Sequence, residues 1–177
     1  AAKACHKMGT GLVTVATWKD SMDPLMVKLP DETMAVAIGL EESDRNNYER
    51  ILPTYSSVVI GPGLGRRPEC KLVLEALLEI YRGPLVLDAD AINAVSDFQL
   101  HENLQSRRAP TILTPHPGEM ARLIGSSTQE VLAQPLIALK KAVELTHAVV
   151  VLKGHRRSSS VAGVSDVSGD ASLSETS

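Results

Sequence analysis

Residues 57–65 have the sequence SVVIGPGLG, the stretch that best indicates the fold. A short apolar run, Val58–Ile60, ends at three glycines, Gly61, Gly63 and Gly65. Glycine tolerates positive φ and has no Cβ, so this backbone can approach a ligand closely. In an open α/β sheet, ligands bind at loops that leave the carboxyl ends of strands, and the start of a following helix favours anions. The alternative is a tight turn without a ligand, and the motif alone leaves both open because its spacing departs from G-x-G-x-x-G.

The composition limits the classes of protein to consider. With 177 residues, 44% of them hydrophobic, the chain has the length of one globular domain with a sizeable core. A net charge of −3 and few aromatic residues argue against nucleic-acid partners, and no run approaches the ~20 apolar residues that span a membrane. Cys5 and Cys70 have neither metal-site spacing nor a disulfide pattern, which suits the reducing cytoplasm. The first residues include neither an initiator methionine nor a signal peptide, so we expect the chain to begin inside a longer gene product.

Short apolar runs alternate with helical patterns along the chain. Besides Val58–Ile60, strands are predicted at Leu12–Ala16, Met34–Ile38, Leu85–Leu87, Thr111–Leu113 and Ala148–Leu152. Ser127 and Glu130 have capping-box spacing, which predicts a long helix to about Thr146 with a bend at Pro135. Uniformly apolar strands that alternate with helices are typical of a mostly parallel sheet with helices on both faces.

Four polar motifs follow directly after four of these strands. They are Gly61–Gly65, Asp88–Asn93, Thr114–Glu119 and Lys153–Gly154. Because the carboxyl ends of parallel strands lie at the same edge of a sheet, we expect the motifs to converge there and to form a binding cleft.

The side chains of these motifs each allow two interpretations. His116 stands between two prolines that fix its backbone, which suits a residue aimed at a ligand, and an exposed turn histidine is the alternative. Asp88 and Asp90 could hold a hydrated magnesium ion, or serve as one turn residue and one helix cap. Lys153 could meet a phosphate or remain solvated. Glu119 could simply be an acidic residue in the first turn of a helix.

Taken together, the motifs resemble those of a known family. GPGLG at 61–65, LDADAIN at 87–93, TPHPGEMARLIG at 114–125 and VVVLKG at 149–154 look like the ADP/ATP-dependent NAD(P)H-hydrate dehydratases. Gly9–Thr17 and Leu29–Met34 also match that pattern. The resemblance covers Ala1 to about His155, and it implies that residues 1–155 are a partial domain. The implied fold is a three-layer α/β/α ribokinase-like fold with a mostly parallel sheet, here incomplete.

The resemblance also implies a reaction, the removal of water from the hydrated form of NADH or NADPH with ADP or ATP and Mg²⁺. A phosphorylated hydroxyl is a better leaving group than hydroxide, so a kinase-like fold suits this dehydration. The residues implied to bind the hydrated nicotinamide nucleotide are Gly61, Gly63, Gly65, Asp88, Asn93 and His116. Those implied for the adenine nucleotide are Lys153 and Gly154, with Glu119 near the metal. A homo-oligomer is implied as well.

The chain departs from the family pattern at both ends. Family members begin with a further strand and a glycine-rich loop, and they contain a Gly-Ser-Gly-Asp segment whose aspartate is the expected general base. Here residues 156–177 are a serine-rich tail without a helix or strand template, which predicts disorder. A reading-frame change near His155 or Arg156 would explain this tail, and Ser168–Asp170 imitates the motif by coincidence. The catalytic residues are therefore unassigned, and we expect activity to be reduced or lost.

Two alternatives stay open. A small-molecule kinase of the same superfold, of the thiazole or pyrimidine type, would share the architecture, although the sequences at 88–93 and 116–119 favour the dehydratase. A non-catalytic remnant would bind nucleotide weakly or pack against a partner subunit. Nucleotide binding without turnover would distinguish that remnant from the enzyme.

Overall fold

A computed structural model of the protein describes residues 1–39, 48–154 and 159–162. The chain divides into two compact units, residues 1–48 and 49–177. The elements of the first unit are α1 (Ala2–Lys7), β1 (Val13–Trp18), a 3₁₀ turn (Lys19–Ser21), α2 (Met22–Met26) and β2 (Thr33–Ile38). The two strands form a parallel pair, and their ends differ from the predicted ends by at most two residues. Both strand predictions are therefore confirmed.

Residues 41–52 span the boundary of the two units, and their polar sequence, which ends in Ile51 and Leu52, predicts a loop followed by a short helix. The first part of that region lies outside the described residues. Residues 48–51 are helical, and they lead into a 3₁₀ turn at Leu52–Thr54. The short helix is thus confirmed for its described part.

The second unit is built on a five-stranded sheet. Its strands are β3 (Val58–Ile60), β4 (Leu85–Leu87), β5 (Thr111–Leu113), β6 (Val149–Lys153) and β7 (Ser159–Ala162). They lie side by side in chain order, β3 to β6 in parallel and β7 antiparallel to β6. The first four strands were predicted from their apolar runs. β7 was not expected, because its serine-rich sequence has no strand pattern, and disorder in the rest of the tail stays a prediction for residues outside those described.

Helices connect the parallel strands of this sheet. They are α3 (Cys70–Ile80), α4 (Asp90–Asp97), α5 (His101–Gln105), α6 (Pro117–Ile124), α7 (Thr128–Ala133) and α8 (Pro135–Thr146). The predicted capping box of Ser127 and Glu130 is present at the start of α7. Instead of one bent helix, α7 and α8 are separate, because Gln134 leaves helical geometry and Pro135 begins the next helix.

The core lies on the face of the sheet that the helices cover. Strand residues Leu85, Leu87, Leu113 and Val150 are at most 1% exposed. Fully buried helix residues include Leu74, Ile92, Met120 and Ala142. Crossover connections between parallel strands are right-handed, so strands added in chain order place their helices on the same face.

The opposite face of the sheet carries a row of β-branched residues. Val59, Val86, Ile112 and Val149 are neighbours in the strand register. Val59 is 53% exposed, Ile112 36% and Val149 38%. In the described part of this unit, this row therefore forms the more exposed face of the sheet.

Candidate functional site

Backbone hydrogen bonds tie the loops that follow the four parallel strands. The Asp88 N–H donates to the Ile60 carbonyl at 3.0 Å, and the Thr114 N–H donates to the Leu87 carbonyl at 3.1 Å. The Lys153 N–H donates to the Pro115 carbonyl at 2.8 Å. The four polar motifs are therefore joined in strand order along the carboxyl edge of the sheet, as their positions predicted.

The glycine loop at 61–65 needs its glycines for conformation and for space. Gly61 has φ +125°, and a Cβ built there would lie 1.6 Å from the carbonyl oxygen of Asp88. Gly63 and Gly65 also have positive φ, but nothing lies within 4 Å of a Cβ at either position. Leu64 is buried, and its N–H donates to the Gly61 carbonyl at 3.0 Å. The loop is a tight turn that packs directly on the backbone after β4.

Asp90 does not cap the helix that follows it, and that prediction was wrong. The N-cap of α4 is Ala89, at φ +49° and ψ −120°, without a side-chain cap. Asp90 is the first helical residue, and its Oδ2 accepts a hydrogen bond from the Gly65 N–H at 2.9 Å. The side chain is therefore used to hold the neighbouring glycine loop.

Asp88 and Lys153 form an ion pair across the sheet edge. Lys153 Nζ donates to Asp88 Oδ1 at 2.6 Å, and the side chains are 43% and 29% exposed, respectively. Partial burial raises the pKa of the Asp88 carboxyl, but hydrogen bonds from Lys153 and Thr114 and the charge of Lys153 outweigh it. The pKa lies below its ordinary value of 3.8. Asp88 is thus held as a carboxylate, and the Lys153 ammonium is directed into the loops.

His116 and Glu119 form a capping box at the start of α6. His116 Nδ1 accepts from the backbone N–H groups of Gly118 and Glu119, at 3.0 and 3.3 Å. Glu119 Oε2 accepts from the His116 N–H at 2.9 Å, and Oε1 lies 3.1 Å from His116 Nε2. This pattern needs an Nδ1 without a proton and a proton on Nε2. The side chains of His116 and Glu119 are therefore held by contacts within residues 116–119, which the sequence analysis did not predict.

The predicted metal role of Glu119 meets an obstacle in this arrangement. Its side chain is 7% exposed, and both carboxylate oxygens face His116. Magnesium prefers carboxylate and phosphate oxygens with several waters kept. Among the residues that the structure describes, no group of three or more His, Cys, Asp and Glu side chains could hold a metal ion. The Glu119 carboxylate, in this arrangement, does not fit a preformed metal site.

The remaining predicted site residues are Asn93 and Gly154. Asn93 is half-buried in the first turns of α4, and Gly154 is exposed directly after β6. A cavity of about 200 Å³ lies beside the glycine loop, and its lining includes Gly65, Cys70 and Asp90. His116 and Lys153 are not part of that lining. The predicted cleft is therefore an edge of linked loops, with the cavity to one side of it.

Comparison with known proteins decides the family. A family model described as NAD(P)H-hydrate dehydratase matches residues 1–162. The chain belongs to the NAD(P)H-hydrate dehydratase family. A bifunctional NAD(P)H-hydrate repair enzyme of Thermofilum pendens is 38% identical over 160 residues, and one of Escherichia coli is 34% identical over 152 residues. Each match covers 86% of this chain, and the chain spans 30% and 27% of the length of those relatives.

Solved structures confirm the ribokinase-like fold of this dehydratase-family chain. A Bacillus subtilis ADP/ATP-dependent NAD(P)H-hydrate dehydratase co-crystallised with ATP and Mg²⁺ has a TM-score of 0.66 at 26% identity. That match covers 93% of this chain and 53% of the other. A ribokinase-like superfamily protein of Enterococcus faecalis has a TM-score of 0.72 at 24% identity, with 92% and 54% covered. The predicted family and α/β fold are both confirmed.

The structure of this dehydratase-family chain also shows contacts that could not be predicted from its sequence. Arg107 is buried, and its guanidinium donates to the carbonyls of Tyr81 and Gly83, at 2.6 and 2.9 Å. Cys70 is fully buried, and its Sγ lies 3.5 Å from the Gly65 carbonyl. Neither residue stands in a recognisable motif, so only the three-dimensional structure reveals these roles. In the part of the chain described here, no helix has the length and apolar character needed to cross a membrane.

Proposed function

We propose that this chain takes part in the ADP/ATP-dependent dehydration of NADH hydrate or NADPH hydrate in the cytoplasm. The observation that carries the proposal is the linked sheet edge, where the glycine loop, the Asp88–Lys153 pair and the exposed His116 side chain follow adjacent strands. Family membership supports the reaction class. The relatives named as repair enzymes and the dehydratase co-crystallised with ATP and Mg²⁺ support the substrate classes.

The reaction needs a better leaving group than hydroxide at the hydrated carbon. Transfer of a phosphoryl group from the adenine nucleotide to that hydroxyl, with release of the hydroxyl proton, provides one. Phosphate then leaves with the C–O bonding electrons while the adjacent ring carbon loses a proton, and this restores the ring double bond. Lys153 offers a cation to nucleotide phosphates, and Gly154 beside it leaves the backbone open to close approach. On the glycine loop, Pro62 and Gly63 are exposed, so this turn can lie against the hydrated nicotinamide nucleotide, with Asp88 and Asn93 below.

Binding of an adenine nucleotide changes the partner of Lys153. Its ammonium is held at 2.6 Å by Asp88 Oδ1, and it is 43% exposed. A phosphate therefore either shares the ammonium with the carboxylate or displaces it. Since magnesium usually enters such sites with substrate phosphates and keeps several waters, the ion would arrive with the nucleotide. Contact between Glu119 and the ion stays a prediction, and it requires the His116 ring to turn away.

The test is an assay of the purified chain with NADH hydrate, ADP and Mg²⁺, in which recovery of reduced-nicotinamide absorbance is followed. The matched variants are His116→Asn and Lys153→Met, with Lys140→Met on the exposed side of α8 as the control. Recovery that falls in both variants but not in the control supports the proposal. Equal recovery in the parent, the two variants and the control would mean that His116 and Lys153 do not serve the reaction, and it would contradict the proposal.

Calorimetric titration with ADP separates the alternatives if no recovery is seen. Binding of ADP that is lost in Lys153→Met identifies a nucleotide-binding chain without turnover, as in the non-catalytic alternative. Absence of both turnover and nucleotide binding overturns the proposed function. Light scattering of the same samples tests the homo-oligomer that the family resemblance implies.

A further inference from the structure

We propose that Asp90 and Cys70 are positioning residues that hold the backbone of Gly65, one through its N–H and the other through its carbonyl, and so set the shape of the glycine loop. Neither side chain needs to touch substrate for this role. The inference rests on the proposed function only for its effect on substrate binding. The positioning itself is a property of the loop and can be tested without turnover.

The first contact is made to the amide of Gly65. Asp90 Oδ2 accepts the Gly65 N–H at 2.9 Å, although Asp90 lies 25 residues further along the chain. A carboxylate acceptor makes a stronger hydrogen bond than a neutral one. Asp90 is half-buried, so water competes for this bond only in part. The bond fixes the end of the loop to the start of α4.

The second contact is made to the carbonyl of the same residue. Cys70 Sγ lies 3.5 Å from the Gly65 oxygen and 3.8 Å from the Leu64 oxygen, and the side chain is fully buried. Burial raises the pKa of the Cys70 thiol, with a further increase from the Asp90 charge, while a backbone hydrogen bond at Arg67 lowers it. The net shift is upward, so the thiol keeps its proton and remains a weak donor to these carbonyls.

Two further features indicate that the loop needs these contacts. Ala89 has φ +49°, and a non-glycine residue in this region is strained unless its surroundings hold it there. The cavity of about 200 Å³ borders Gly65, Cys70 and Asp90. Gly65 therefore has empty space beside it, into which the peptide groups on either side of its Cα could rotate if the contacts were lost. The hydrogen bond from the Gly65 N–H to Asp90 opposes that rotation.

Amide hydrogen exchange at Gly65, measured by NMR on the full chain, tests the positioning directly. We expect Asp90→Ala to speed exchange of this amide about tenfold, because the acceptor is removed. Asp90→Asn retains an oxygen acceptor and is expected to stay closer to the parent chain. Cys70→Ala is expected to speed exchange and Cys70→Ser, which keeps a donor, to restore it. Asp97→Asn is the control, since Asp97 lies on the same helix and pairs with Arg122.

Substrate binding provides the readout that a merely structural role would not change. We expect Asp90→Ala to raise the KM for NADH hydrate about tenfold and to leave the KM for ADP within twofold, because the contact between Asp90 and Gly65 does not include Lys153. If the parent chain shows no turnover, the two dissociation constants from calorimetry replace the KM values. A parent chain that binds neither ligand contradicts the proposed function, and the exchange data still decide the role of Asp90. Gly65 exchange within twofold of the parent in Asp90→Ala and Cys70→Ala overturns the inference.

Discussion

Lys153 Nζ lies 2.6 Å from Asp88 Oδ1, and the two residues are 65 positions apart in the sequence. The pair joins the loop after β4 to the end of β6, although β5 runs between those strands. The ion pair therefore connects the first and third of three adjacent strands. It also places Lys153, the cation predicted to meet phosphate, next to the carboxylate of Asp88. This arrangement has consequences for both stability and pH dependence.

Asp88→Asn is expected to lower the free energy of unfolding by roughly 0.5–1 kcal/mol at neutral pH, as for partly exposed ion pairs. Because the folded-state pKa of Asp88 is below the ordinary 3.8, the carboxylate stabilises the fold above that pH and loses its effect as pH falls through the lower folded pKa. Urea unfolding of the parent and the variant from pH 7 to pH 3 measures this difference. Asp97→Asn, which breaks the exposed pair with Arg122, is the control. A gap between parent and variant that widens towards acid would contradict the assignment.

The capping role of His116 can be separated from its predicted contact with substrate. His116→Ala removes the Nδ1 acceptor for the N–H groups of Gly118 and Glu119, and we expect a loss of about 1 kcal/mol. Asparagine is a favoured N-cap residue, so His116→Asn is expected to retain most of this stability. Thermal unfolding measures the first effect, and affinity for NADH hydrate measures the second. Equal stability of His116→Ala and the parent would show that the cap contributes nothing to the free energy of unfolding.

Arg107 is expected to be a strong determinant of stability, although it lies in no motif. Its guanidinium donates to three backbone carbonyls, those of Leu78, Tyr81 and Gly83, and to the Thr111 hydroxyl. Burial, and secondarily the Arg82 charge, lower the pKa of this guanidinium, but these four acceptors stabilise its charged form.

Arg107→Met leaves the carbonyl acceptors without their donor, and we expect a loss of about 2–3 kcal/mol in urea unfolding. Arg107→Lys keeps the charge but not the planar set of donors, so its loss should be smaller. Arg108→Met at the exposed neighbouring position is the matched control. Similar stabilities for the two methionine variants would show that water satisfies the carbonyls.

The glycines of the loop are expected to differ sharply in tolerance. A Cβ at Gly61 would lie 1.6 Å from the Asp88 carbonyl oxygen, so Gly61→Ala is expected to prevent folding or force the loop away from β4. At Gly63 there is open space, and Gly63→Ala should cost only about 1–2 kcal/mol for its positive φ. Yield of folded protein and urea unfolding of the two variants measure the contrast. A stable Gly61→Ala chain with an unchanged Asp88 environment would contradict this packing.

The strands of the sheet could be predicted from sequence, whereas the partners of the polar residues could not. Val58–Ile60 is apolar and bounded by turn residues, so its limits agree with the structure. The contact between Asp90 and Gly65 depends on how two loops meet, and local capping rules predicted another role for Asp90. β7 has no apolar alternation, and it forms by pairing with the edge of β6. Such features depend on tertiary neighbours, which a single sequence does not specify.

Strand order in the second unit follows chain order, so the order in which the strands are synthesised is also the order in which they pair. Each strand from β4 to β7 pairs with the strand that was synthesised just before it. The sheet can therefore assemble from its amino-terminal side while the ribosome is still adding residues. Lys153 can reach Asp88 only after β5 and β6 have been added, so this ion pair forms late during synthesis.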